Sequence, residues 1–292
     1  MGTLYLIATP IGNLEDITAR AVRLLRAVPL IAAEDTRHTR KLLNHLGITT
    51  PALSYHEHNK LARLDRVLAA LAAGDVALVS DAGTPALSDP GQELVRAAIA
   101  AGFPVVPVPG AAAAIAALVA SGLATDRFTF LGFLPRQPRA RRAVLATVRD
   151  SPCTLILYEA PHRLRACLAD LLAVLGDRPT AAARELTKLH EEIVRGPLSE
   201  LQARYAAEPG PRGEFTLIVA GAVAGADEAR VSGVAEPDIT DRATREALAR
   251  ARAAELRAAG HSTRDIAAQL AREFGLPRRA MYQLAMEATL PN

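Results

Sequence analysis

The 292-residue sequence predicts an α/β protein, with two consecutive α/β domains and a helical C-terminal appendage. Three observations carry that reading. From Tyr5 to Ala120, short apolar runs alternate with amphipathic stretches, which is the rhythm of βα units. After Gly122 strands and helices continue with a different spacing. Beyond a small-residue-rich segment, the chain ends in an arginine- and alanine-rich stretch with helical periodicity. The boundaries drawn from these changes are 1–122, 123–225 and 226–292.

In the first domain Tyr5-Leu6-Ile7-Ala8 reads as a strand and Asp16 to Ala27 as an amphipathic helix. Leu30-Ile31-Ala32-Ala33 is the next strand, followed by a helix over Thr36 to Leu46. Leu53 to His56 gives a third strand, Lys60 to Ala73 a helix, Val76 to Val79 a fourth strand, and Val105 to Val108 a fifth before the helix Ala111 to Ala120. Such continuous apolar runs suit a mostly parallel, doubly wound sheet covered on both faces. In the second domain, strands are expected at Phe128 to Leu131, Thr154 to Tyr158, Ala181 to Leu186 and Phe215 to Ala220. Helices near Arg139 to Val148, His162 to Leu175 and Leu198 to Tyr205 separate them. Residues 220 to 238 read as a linker. Residues 262 to 287 then read as helix, turn at Gly275-Leu276-Pro277, and helix, with Ser262 or Thr263 as N-cap and Ile266, Ala267, Leu270 and Phe274 on one face.

Composition removes several classes of function. No apolar stretch reaches the roughly 20 residues of a membrane helix, and the opening MGTLYLIATPIGN lacks the basic start and cleavage site of a secretory signal. A cytoplasmic protein with no membrane partner is expected. Cys153 and Cys167 lie in apolar surroundings without metal-type spacing, so they read as buried, reduced thiols. The net charge is only +3, yet residues 239 to 292 hold nine arginines against six carboxylates and so account for all of it. That asymmetry points to an anionic partner at the C-terminus or to an arginine-solubilised helical face.

The strand ends carry the chemistry. In open parallel sheets, ligands bind beyond the carboxyl ends of the strands. Here the first strand opens into ATPIGN, the fourth into SDAGTPALSDPG and the fifth into PVPGAAA, loops in which glycine permits close backbone approach and proline fixes the path. No G-x-x-x-x-G-K-[ST] is present and no G-x-G-x-x-G follows a strand, which argues against a kinase, an NTPase or a nicotinamide dehydrogenase.

ATPIGNLEDIT (8 to 18), AEDTRHTRKLL (33 to 43), YHEHN (55 to 59), VSDAGTPALSDPG (79 to 91), PVPGAAA (107 to 113), GFLPR (132 to 136), YEAPHR (158 to 163), ARELTKLHEE (183 to 192) and GEFTLIVAG (213 to 221) follow one another in order. Together they resemble the tetrapyrrole-methylase-like (class III) methyltransferases, and within them the branch that methylates the ribose 2′-oxygen of a cytidine in 16S rRNA. The first loop lacks the glycine-rich pattern of the tetrapyrrole enzymes, and DAGTP stands where those have Gly-Asp-Pro, which counts against a corrinoid or sirohaem substrate. The resemblance implies S-adenosyl-L-methionine as cofactor, held between two domains, 16S rRNA or the small ribosomal subunit as partner, and a homodimer. Carried over motif by motif, cofactor contacts fall on Thr9, Pro10 and Gly12, on Asp81, Ala82, Gly83 and Thr84, on Pro109, Gly110 and Ala111, and on Phe133 and Leu134.

A hydroxyl nucleophile needs a base or a nearby cation. Candidates in the rim motifs are Asp35, His56, Glu57, His58, Glu185 and Lys188, with Asp35, Glu57 and Lys188 preferred. The His56-x-His58 spacing has no third ligand in a recognisable position, so no metal is expected. Asp35 with Arg37, and Arg184 with Glu185, read equally as structural ion pairs. Phosphate contacts are expected from Arg37, from Arg136, Arg139, Arg141 and Arg142, and from Arg278 and Arg279, which open the last helix of a helix-turn-helix-like tail. That tail keeps a second class open, a transcription regulator with an α/β sensor. A methylase of the same fold acting on a small molecule or a protein is the third, and the identity of the methylated product separates them.

Overall fold

The computed structural model describes residues 2–56, 60–222 and most of 249–287. Five short strands form the first sheet: β1 (Leu4–Ile7), β2 (Leu30–Ala33), β3 (Ala52–Ser54), β4 (Val76–Val79) and β5 (Val105–Val108). All pair in parallel, in the order β3-β2-β4-β1-β5. Helices α1 (Ala19–Ala27) and α2 (Thr36–His45) cover one face, where Leu24, Leu25 and Leu43 meet Ile7, Ile31 and Val79. Helices α3 (Lys60–Ala73) and α4 (Gln92–Ala100) cover the other, where Val67, Leu71 and Leu94 meet Leu4, Val76 and Leu78. The sheet is therefore doubly wound, as the apolar runs predict.

Local chemistry sets the element ends. Helix α1 starts at Ala19 rather than Asp16 because the Thr18 hydroxyl accepts from the Ala21 N–H, while Leu14–Asp16 form a separate 3₁₀ turn capped by Asn13. Helix α4 is absent from the sequence reading, although β4 and β5 lie parallel in one sheet and such strands need a crossover between them. Among the described residues the third strand stops at Ser54, before His56.

The second sheet comprises β6 (Phe128–Phe133), β7 (Thr154–Glu159), β8 (Pro179–Arg184), β9 (Glu192–Pro197) and β10 (Phe215–Val219), in the order β6-β7-β10-β8-β9. Only β6 and β7 run parallel; the remaining pairs are antiparallel. Helices α6 (Pro138–Thr147), α7 (Leu164–Leu175) and α8 (Leu198–Ala207) bury one face against Leu155, Leu157 and Leu217. The other face is covered by α5 (Ala113–Ser121), which follows the last strand of the first sheet and sets Ala114, Ala117 and Leu118 on Ile156, Ala181 and Ile218. One helix thus ties the two sheets together. Cys167 lies in the core, where burial pushes its thiol well above the ordinary range, and Cys153 is half-buried.

Residues 225–292 form a separate compact unit. Within it, the helices Thr263–Phe274 and Arg278–Glu287 close on a small core of Ile266, Ala267, Leu270, Met281, Leu284 and Ala285. The Ser262 hydroxyl accepts from the Asp265 N–H, the cap expected from the sequence. Among the described residues no helix is long and apolar enough to cross a membrane.

Candidate active site

The loop after β4 is tied to the loop after β1. Thr9 donates its N–H to the Gly83 carbonyl at 2.9 Å, Gly83 returns the bond at 3.0 Å, and the Thr9 hydroxyl donates to Ser80 O at 3.3 Å. Gly83 needs its glycine for the backbone, at φ +77°, whereas an added Cβ would meet only ordinary contacts with Ile11 and Ala111. Further along, Ala86 and Ser88 hold left-handed conformations at φ 66° and 64°, and across the cleft Glu185 and Thr187 do so at 51° and 66°. Strain of this kind persists only where surroundings enforce it and gathers at ligand sites. Here the β1 loop supplies part of the enforcement. Gly12 passes so close to Lys188 that a Cβ would sit 2.4 Å from its Cγ, and the Asn13 N–H donates to Thr187 Oγ1 at 3.1 Å.

Between the two sheets lies a cavity of about 510 Å³. Its first wall is Asp81, Ala82, Gly83, Thr84 and Asp89 from the β4 loop, with Glu34 after β2. Its second wall is Phe133, Tyr158, Glu159, Lys188 and Glu214. The floor is Ala112 and Ala113 at the N-terminus of α5, where the N-cap Ala112 has no capping side chain and the Ala114 N–H donates instead to the Tyr158 hydroxyl at 3.2 Å. Phe130 and Phe133 flank the Tyr158 ring at 5.1 and 5.5 Å between centroids.

Carboxylates dominate the electrostatics. Burial raises the pKa of Glu34, and burial lifts that of Asp89 to about 6 against a hydrogen bond from Ser80 and with the charges of Glu34 and Asp81 adding to it. Asp81 accepts the Asp35 N–H at 3.0 Å, and its own N–H donates to Glu34 Oε2 at 3.2 Å. Lys188 donates to Glu185 Oε1 and Glu214 Oε2, both at 2.8 Å. Burial works against its charge, but these two bonds outweigh burial and keep its pKa above the ordinary value. Among the described residues the lining is thus rich in carboxylates and holds one lysine, itself paired, beside an aromatic wall. Among the described residues no group of three His, Cys, Asp or Glu side chains is placed to hold a metal ion.

The family model for Tetrapyrrole (Corrin/Porphyrin) Methylases matches residues 3–202, which hold the whole first sheet and every strand of the second except β10. The chain belongs to this family. A ribosomal RNA small subunit methyltransferase I from Synechocystis is 52% identical over 289 residues, covering 98% of each chain. The protein of the same name from Halalkalibacterium halodurans is 56% identical over 221 residues, 75% of this chain and 76% of its own. Among solved structures, a uroporphyrin-III C-methyltransferase from Thermus thermophilus complexed with S-adenyl homocysteine aligns with a TM-score of 0.50 at 23% identity, over 74% of this chain and 97% of that one. That likeness concerns the methylase fold.

Of the residues that the methylase resemblance marks for the cofactor, Asp81, Ala82, Gly83, Thr84 and Phe133 line the cavity. Thr9 and Gly12 brace it, and the Ala111 carbonyl accepts from Thr84 Oγ1 at 3.3 Å. Pro109 and Gly110 are exposed at the end of β5. Two assignments are corrected. Leu134 is buried in the helix-covered core of the second sheet, and Pro10 lines a separate, smaller pocket. Lys188 is in the cavity, while Glu57 and His58 lie outside the described residues. Asp35 does not line the cavity. It caps α2 through Arg37 N at 2.8 Å and pairs with the Arg37 guanidinium at 2.9 Å, whose hydrogen bonds hold its pKa near 2. Arg184 pairs with Glu208 at 2.9 Å rather than with Glu185, which serves Lys188.

The arginine cluster also divides. Arg136 and Arg139 are exposed, Arg142 is exposed but pairs with Asp170 at 2.6 Å, and the Arg141 side chain is 4% exposed and spent on Asp170 at 2.5 Å, so it belongs to the core and offers nothing to a phosphate. Its partner lies 29 residues away in sequence, beyond any local pattern. Arg37 and Arg279 are exposed; Arg278 opens the last helix, and its side chain lies outside the described residues. The sequence reading assigned no role to Glu34, Asp89, Tyr158, Glu159 or Glu214. All five sit inside quoted motifs, so position at a strand end was the available signal.

Proposed function

We propose that this chain methylates the ribose 2′-hydroxyl of a cytidine in 16S rRNA with S-adenosyl-L-methionine as cofactor, acting in the cytoplasm as a homodimer on the rRNA or the small ribosomal subunit. Relatives of that name at 52–56% identity support the substrate class. The cavity carries the cofactor reading. Its carboxylates suit a sulfonium and an α-ammonium, the N-terminus of α5 at the floor suits a carboxylate, and the Phe133–Tyr158 wall suits an adenine. Bound S-adenosylmethionine supplies an electrophilic methyl group.

The chain's own residues bind, orient and exclude water. Asp81 to Thr84 present backbone and carboxylate to the ligand, and the paired, charged Lys188 lies at the second wall, where it stabilises negative charge developing on an attacking oxygen. Positioning the hydroxyl in line with the methyl supplies a large part of the acceleration. Exposed Arg136, Arg139 and Arg279 serve the RNA backbone, with Arg37 and Arg142 exposed beside their carboxylate partners Asp35 and Asp170. The test is incubation with methyl-labelled S-adenosylmethionine and either small subunits or naked 16S rRNA, followed by mapping of 2′-O-methyl nucleotides. Label in one cytidine ribose supports the reading; label found only in protein or a small molecule overturns it.

A further inference from the structure

A second pocket, of about 250 Å³, opens on the first sheet and is lined by Leu14, His38, Thr39, Lys41, Ser80 and Asp81, with Thr9, Pro10 and Leu42. It shares one residue with the larger cavity, Asp81, whose side chain is part of both linings. Asp81 Oδ1 accepts from Asp35 N at 3.0 Å, and among the described residues no hydrogen bond is made to Oδ2. Thr39 is 4% exposed, and its buried hydroxyl finds no hydrogen-bond partner. A buried hydroxyl left unpaired in the middle of a helix is unusual, since valine would fill the same space without a polar atom to satisfy. His38 and Lys41 are exposed at the same pocket, so apolar floor, orphan hydroxyl, carboxylate and cations are gathered on one small depression.

We infer that this pocket receives the acceptor ribose of the RNA, with the Thr39 hydroxyl donating to the ribose 2′-oxygen, Asp81 accepting from the 2′-hydroxyl, and Lys41 and His38 facing the adjoining phosphates. The inference rests on the proposed rRNA reading and adds where the acceptor sits. In the step, the 2′-oxygen bonds to the methyl carbon as the carbon–sulfur bond breaks, the bonding pair leaves with sulfur, and the hydroxyl proton passes to the Asp81 carboxylate and on to solvent. Among the described residues Asp81 alone is common to both linings, and the proton transfer is therefore assigned to its carboxylate.

The experiment uses the full chain, wild type and the variants Thr39→Val and Lys41→Ala, with S-adenosylhomocysteine present. Two RNA fragments are compared, one carrying the mapped target nucleotide and one with a 2′-deoxy sugar there. Wild type should bind the ribose form about tenfold more tightly, and Thr39→Val should lose most of that discrimination while its melting temperature is not lowered and its calorimetric affinity for S-adenosylhomocysteine stays within about twofold of wild type. Lys41→Ala should weaken both RNAs equally and make binding less salt-dependent. A Thr39→Val protein that still distinguishes the two sugars, or one that loses cofactor affinity, overturns the acceptor assignment. Absence of rRNA methylation by the wild type sinks the proposed function instead, so the two failures are distinct.

Discussion

Replacing Asp89 with asparagine should make the protein more stable at neutral pH and poorer at holding its cofactor. Asp89 lines the cavity, and burial there, against a hydrogen bond from Ser80 and with the neighbouring charges of Glu34 and Asp81, lifts its pKa to about 6. A rise of about two units corresponds to roughly 3 kcal/mol of disfavoured charge, at about 1.4 kcal/mol per unit. Partial exposure reduces this to about 1–2 kcal/mol. The sign follows from proton binding. Between about pH 4 and pH 6 the folded chain holds a proton that the unfolded chain has released, so stability falls as pH rises through that window and the full cost stands above it. Asp89→Asn keeps an acceptor for Ser80 and removes the charge, so its gain should be absent at pH 4 and complete at pH 7.5. Urea unfolding at those two values, with an unchanged m-value, measures it. Calorimetry should show wild-type affinity for S-adenosylmethionine rising from pH 5 to pH 7, with that rise flattened and affinity reduced about tenfold at pH 7.5 in the variant. A stability change equal at both pH values would refute the desolvation argument, and an unaltered affinity profile would remove Asp89 from the cofactor's surroundings.

Gly83→Val should cost about 2 kcal/mol through the left-handed backbone at φ +77°, and calorimetry should show weaker cofactor binding with the fold intact. Arg141→Ala should destabilise by about 3–5 kcal/mol in urea by leaving Asp170 buried with only the exposed Arg142, whereas Arg139→Ala should stay within about 0.5 kcal/mol and instead weaken RNA binding. Deleting residues 225–292, a compact unit with its own core, should leave S-adenosylmethionine affinity unchanged. It should also make the salt dependence of RNA binding shallower by about two to three logarithmic units if Arg250, Arg264 and Arg279, all exposed, each meet a phosphate.

The strands of the first sheet were legible because parallel strands covered on both faces must be apolar throughout: Val76–Val79 is buried at every position and stands out as a run. Strand β9 was not, since it pairs only with β8 at the sheet edge, is half-exposed throughout, and its sequence EIVRGP follows no alternation. Helix α4 was recoverable from topology, because parallel strands in one sheet require a crossover. The site was legible as loops and not as charges. ATPIGN and SDAGTP meet as expected from strand ends, but the roles of Glu34 and Asp89 depend on burial created by the second sheet, and Arg141 depends on Asp170.

Strain and charge in the cleft have a common logic. Four non-glycine residues in left-handed conformations sit in two loops from different sheets, and each costs about 1–3 kcal/mol in isolation. They are held by contacts running between the sheets: Asn13 to Thr187, Gly12 against Lys188, and the Ala114 N–H on the Tyr158 hydroxyl. Helix α5 continues from the first sheet and sets Ala114, Ala117 and Leu118 on the second, which fixes the cavity floor against the second wall. The acidic chamber is thus preorganised by the fold instead of being assembled by its ligand. A chamber fixed in this way discriminates by charge alone: a sulfonium ligand is attracted by carboxylates already in place, and once its methyl group is lost the neutral thioether keeps the same shape without that attraction. A less acidic cavity such as that of Asp89→Asn should therefore narrow the affinity gap between the two ligands.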